Sequence, residues 1–171
     1  TAFNNVKIID DFIFSPTDMW QRRQWYRFIT CGFIHADFGH LAFNMLTLYF
    51  FGRVMEQVYV VYFDLPKYAY LVLYIVALIV SEIPSFIKHR NNRAYKSLGA
   101  SGAVAAIVFA FILLAPWVTI YVFFIPVPAV VYGILFLVYS AYMMSNRQRD
   151  NINHSAHLWG AVVGIVFTII V

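Results

Sequence analysis

Ser101 and His157 are the residues of this sequence best suited to do chemistry together. A serine hydroxyl is a weak nucleophile until a base takes its proton. A neutral imidazole titrates in the range that lets it be that base near neutral pH. Ser101 stands in Gly99-Ala100-Ser101-Gly102, where glycine on both sides frees the turn and lets a second backbone come close. If this serine opens a helix, the free N–H groups and positive dipole end there point at any charge developing on a substrate oxygen. The same serine equally suits a helix N-cap in a glycine-rich turn. His157, taken alone, suits a helix-end histidine at the headgroup level. The soluble-hydrolase pattern G-x-S-x-G is not met, because Ala103 stands at its last glycine.

Small residues flank both candidates. Gly102, Ala106 and Ala110 recur every fourth residue after the serine, and Ala156, Gly160 and Gly164 recur likewise around the histidine. That spacing lets membrane helices pack backbone to backbone. It permits Ser101 and His157 to meet, although such stripes are common in membrane bundles and do not demand it. His40 and Asn44 are four apart and share one helix face, about 6 Å apart along the axis. Both donate hydrogen bonds, so with the Ser101 N–H they suit the oxyanion of a tetrahedral intermediate. A metal site or a helix-end polar patch are the alternatives. No metal is expected: His35 and His40 are five apart, and no carboxylate sits at ligand spacing on the same face. Asp37 reads as a loop charge or cap. Glu56 and Glu82 read as structural, Glu82 close to a polar loop. No carboxylate is placed to orient His157, so a dyad is expected rather than a triad.

The elements that must hold these groups are membrane helices. Of 171 residues, 62% are apolar and only 12% charged, with a mean hydropathy of +0.72. A soluble domain of this size cannot hide so much apolar surface, so a bilayer must cover the excess. Five stretches approach the roughly 20 apolar residues a crossing needs: residues 41–62, 68–87, 101–115, 127–144 and 156–171. Asp64, Pro66 and Lys67 separate the first two, and residues 88–96 form a polar loop. Pro116, Pro126 and Pro128 break the chain before the fourth stretch, and residues 147–154 precede the last. The third stretch is short, about 22 Å at 1.5 Å per residue, as for a helix that starts at the floor of a wet cavity. Residues 1–40, polar and aromatic with Arg22, Arg23 and Arg27, read as an interfacial loop region of a single 1–171 domain. Polar side chains inside such spans are costly, which is what marks His40, Asn44, Glu56, Glu82, Ser101 and His157 as candidates. The single cysteine, Cys31, excludes an internal disulfide. The net charge of +4 is scattered, as beside lipid headgroups, and forms no nucleic-acid patch. Oligomeric state has no signature in the sequence.

Four motifs in order resemble the rhomboid family: Tyr26-Arg27, His40-Leu41-Ala42-Phe43-Asn44, Gly99-Ala100-Ser101-Gly102, and Ala156-His157-Leu158-Trp159-Gly160 running on to Gly164. Glu56 also falls where that family carries a helix-packing glutamate. The resemblance covers roughly residues 20–171. It implies an all-α polytopic membrane bundle around a water-filled cavity, with Ser101 as nucleophile and His157 as general base. It also implies an oxyanion hole of His40, Asn44 and backbone N–H groups. Substrates would be single-span membrane proteins, and no cofactor is implied. The family core has six helices, so a first helix is expected upstream of the five spans. Many members place a tyrosine one turn after the nucleophile, supporting the histidine ring; here that position is Ala105, so His157 needs another support. Trp25 precedes Tyr26-Arg27 where many members have Trp-Arg. Basic loops carrying Arg22, Arg23, Arg27, Lys88, Arg90, Arg93, Lys96, Arg147 and Arg149 share one side, which charge bias would place in the cytoplasm. The resemblance instead opens the site to the non-cytoplasmic side, in a bacterial inner membrane. A catalytically silent relative that binds membrane clients, and a small channel or transporter, are the rival classes. The first would need neither Ser101 nor His157. The second would show two similar halves with broken helices, and no such symmetry is present.

Overall fold

The computed structural model describes residues 5–146 and 152–171. Short elements come first: α1 (Val6–Phe12), α2 (Pro16–Arg22), α3 (Arg27–Thr30) and a 3₁₀ turn over Cys31–Phe33. Longer helices follow. α4 (Phe38–Thr47) runs through a π-helical stretch, Leu48–Gly52, into α5 (Arg53–Tyr62). α6 (Ala69–Val80) turns at Ser81-Glu82 into α7 (Ile83–His89), with Pro84 in the first turn where its missing N–H costs nothing. Then come α8 (Ser101–Leu114), strands β1 (Thr119–Val122) and β2 (Ile125–Pro128), α9 (Ala129–Asn146) and α10 (His154–Ile170).

α8 is the central helix. It is apolar on all faces and buried over Gly102–Ala110 and again at Ile112, as a helix ringed by others must be. α10 lies against it at backbone distance. A Cβ at Gly160 would overlap the Gly102 carbonyl, and one at Gly164 the Ala106 carbonyl. The small-residue stripes are therefore the α8–α10 seam. Met55, Tyr59, Leu73, Ala77, Ile107 and Ala110 join α5, α6 and α8 into the main core. Across that core the Tyr59 and Thr168 hydroxyls bond at 2.7 Å. Large apolar side chains, Phe50, Leu71, Leu135, Val138 and Ile169 among them, point outward. Such a surface needs lipid to cover it.

Three expectations change. Residues 6–33 are not a plain loop but short helices, held by Arg27, which is only 4% exposed. Its guanidinium donates to the Asp10 and Ile13 carbonyls at 2.7 Å and to Gln24 Oε1 at 2.8 Å. Arg27 is thus a buried staple rather than a free loop charge; Arg147 and Arg149 lie outside the described residues. Second, the segment between α8 and α9 is a β-hairpin, with Thr119 opposite Pro128 and Val122 opposite Ile125. Phe123 and Phe124 form its two-residue turn at φ of 47° and 71°, the left-handed pair a tight hairpin demands. Both prolines sit in a two-stranded sheet, where a lost N–H is tolerated, and the helix starts at Ala129 rather than 127. Third, among the described residues only Ala69–His89 is both long and apolar enough to cross a bilayer alone. Ser101–Leu114, Ala129–Ser145 and His154–Ile170 are apolar but shorter.

Candidate active site

Ser101 is the first residue of α8, and Ala100 holds the N-cap position without a side-chain cap. The N-cap reading of Ser101 is therefore set aside. Its hydroxyl lies 2.9 Å from His157 Nε2 instead. Gly99 supplies the turn that makes this possible, with φ +102°, a conformation that disfavours any side chain. It also makes room: a Cβ there would stand 2.6 Å from the His40 ring. His157 occupies the first turn of α10. Asn153 caps that helix, its Oδ1 accepting from the Ala156 N–H at 3.1 Å.

A cavity of about 740 Å³ opens at this pair, bordered by His40, Asn44, Ser101 and His157. Asp37 caps α4, its Oδ1 accepting from the His40 N–H at 2.7 Å, so it is a cap and not a stray charge. One turn on, Asn44 is 2% exposed, and its Nδ2 has no hydrogen-bond partner among the described residues. An unpaired buried amide donor is costly. On the cavity wall, such a donor is suited to receive an anionic oxygen. The Ser101 N–H adds to it, since the first amides of a helix have no intrahelical partner. His35 sits edge-on to His40, ring centroids 5.0 Å apart. Burial first, and the His40 ring second, hold its pKa below the usual imidazole value.

The structure thus brings Ser101, His157, His40 and Asn44 to one cavity. Gly99, Gly102, Gly160 and Gly164 shape its supports. Arg27 staples the N-terminal helices, and Glu56 is half-buried on α5; neither borders the cavity. Three neighbours escaped the sequence reading. Phe136 on α9 lays its ring 5.3 Å from that of His157 at 35°, on the imidazole that Ala105 leaves without a tyrosine neighbour. His154 meets the same imidazole edge-on at 5.7 Å. Asn153 joins Glu82, whose Oε2 accepts from Asn153 Nδ2 at 2.8 Å. A cap residue four before His157 is a readable signal for Asn153; nothing local points to Phe136.

A domain family described as "Rhomboid domain" matches residues 22–171. The chain is 35% identical over 177 residues to RHOMBOID-like protein 12, mitochondrial, of Arabidopsis thaliana, a match covering 96% of this chain and 52% of that protein. It is 28% identical to Rhomboid-like protein 11, chloroplastic, of the same plant, over 83% of this chain and 51% of that one. It is 27% identical to Putative rhomboid protease YdcA of Bacillus subtilis (strain 168), over 85% and 66%. The chain spans about half the length of the two plant relatives. No solved structure matches. The plant names, mitochondrial and chloroplastic, run against the expectation of a bacterial inner membrane. A multi-pass membrane protein is what stands.

Proposed function

Because this chain belongs to the rhomboid family, whose members are generally intramembrane serine proteases, we propose that it is a serine endopeptidase cutting single-span membrane proteins within the bilayer. The observation that carries this reading is the 2.9 Å contact between Ser101 Oγ and His157 Nε2 at the cavity wall. In the proposed mechanism His157 takes the hydroxyl proton as Ser101 attacks the scissile carbonyl. The oxyanion forms against the Ser101 N–H, Asn44 Nδ2 and His40. Collapse breaks the C–N bond, and His157 hands its proton to the leaving amine. Water in the cavity then hydrolyses the acyl-enzyme by the same steps reversed in role. Five spans, 41–62 through 156–171, hold the site in this reading, with residues 1–40 at the interface. Gly102, Gly160 and Gly164 in the α8–α10 seam, and Glu56 half-buried on α5, act as supports in this reading, not as participants. Ser101→Ala and His157→Ala are each expected to abolish cleavage of a membrane-anchored reporter while the purified protein keeps its melting temperature within a few degrees. Cleavage by Ser101→Ala at the unmutated rate would rule the mechanism out.

A further inference from the structure

We propose that Glu82 and Asn153 form a positioning clamp that holds the first turn of α10, and with it the His157 imidazole, against the Ser101 hydroxyl. The proposal rests on the protease reading and deepens it.

Glu82 sits at the turn between α6 and α7, a single carboxylate only 5% exposed. A buried carboxyl group, charged or neutral, is costly unless hydrogen bonds compensate it. Its Oε2 is met by Asn153 Nδ2 at 2.8 Å, from 71 residues away. The rest of the Asn153 amide is committed as well. Oδ1 accepts from the Ala156 N–H at 3.1 Å, and the Ser85 hydroxyl lies 3.2 Å from Oδ1 and 3.1 Å from Nδ2. The Asn153 backbone carbonyl accepts from the His157 N–H at 3.3 Å. Two partners of opposite kind fix how the amide faces, since a backbone N–H only donates and a carboxylate oxygen accepts. An ordinary asparagine cap leaves its NH₂ to water. Here that NH₂ is spent on a buried acceptor on another element, which ties the α10 N-terminus to the α6–α7 turn. The tie ends on the peptide N–H of His157, the residue whose ring meets Ser101. Reacting groups displaced by about 1 Å lose on the order of 100-fold in rate. A clamp on this turn therefore acts on catalysis without touching substrate.

Exchanging the two functional groups tests it. Asn153→Asp keeps a good N-cap but, assayed at alkaline pH where both carboxyls are ionised, sets like charges against each other. Glu82→Gln in the same chain restores the bond with the donor reversed. Asn153→Asp is expected to lower kcat about 10- to 100-fold with KM little changed. The double variant should recover most of that loss. Glu82→Gln alone should stay near the unmutated rate, because its amide oxygen still accepts. Amide hydrogen exchange at Ala156 and His157 should quicken in Asn153→Asp and slow again in the double variant. If Asn153→Asp does not fold, Glu82→Gln against Glu82→Ala gives the same contrast, acceptor kept against acceptor lost. Unchanged kcat and exchange in Asn153→Asp, a double variant no better than the single, or Glu82→Ala equal to Glu82→Gln would overturn the clamp. If the unmutated chain cleaves no membrane-anchored reporter, the protease reading falls, and the exchange measurement still decides whether the clamp exists.

Discussion

Gly160→Ala is the perturbation that tests the architecture most severely. The added Cβ would fall onto the carbonyl oxygen, carbonyl carbon and Cα of Gly102, all backbone atoms of α8 that no rotamer change can move. Restoring ordinary carbon contacts of about 3.5 Å requires α8 and α10 to part by on the order of 1 Å. Forced overpacking of this kind costs about 1–3 kcal/mol. The same displacement lengthens the 2.9 Å Ser101–His157 contact beyond hydrogen-bond range. A loss of about 100-fold in kcat follows. Gly164→Ala provides the internal control. Its Cβ meets the Ala106 backbone in the same way, but one turn further along the seam, about 6 Å from Gly160. Both variants should lose similar stability, measured by thermal unfolding in detergent. Gly160→Ala should lose distinctly more kcat on a membrane-anchored reporter. Unmutated stability and rate in Gly160→Ala would refute the backbone-to-backbone seam, and equal rate losses in the two would refute its link to the Ser101–His157 pair.

Two further outcomes follow from the structure. Asn44→Ala should lower kcat about 10²- to 10³-fold with KM nearly unchanged, as for a lost oxyanion donor, read from steady-state cleavage. Asp10 meets Lys96 at 2.8 Å, and that hydrogen bond, with the charge of Lys96, holds the Asp10 carboxyl below its ordinary value of 3.8. A depressed carboxyl contributes stability that is present above the ordinary value and lost as pH falls through the folded one. Unfolding curves from pH 6 down to about pH 2 should therefore show a small acid loss that Lys96→Met removes; the pair is exposed, so the loss is slight.

The chemistry was legible because polar residues stand out in apolar surroundings. Ser101, His157, His40 and Asn44 each fall in or at the start of an apolar stretch, where a polar side chain is costly and therefore conspicuous. Gly102, Gly160 and Gly164 were legible through their period of four. What escaped notice depends on contacts between distant elements or on backbone choices that side chains do not announce. Phe123 and Phe124 adopt left-handed conformations that glycine or asparagine would normally signal, so the hairpin read as a proline-broken linker. The helices over 6–33 are too short for a periodic pattern, and Arg27, the residue that staples them, looks in the sequence like any basic loop residue. Glu82 and Asn153 meet across most of the chain, and Phe136 reaches His157 from a helix whose facing the apolar α9 sequence does not reveal.

In the proposed mechanism Ser101 is a nucleophile activated by His157. The most direct measurement is mass-spectrometric mapping of a fluorophosphonate adduct on the membrane-reconstituted chain. A single adduct on Ser101 is expected, formed quickly by the unmutated protein and lost in His157→Ala. An unlabelled Ser101, or labelling at the same rate without the imidazole, would contradict it.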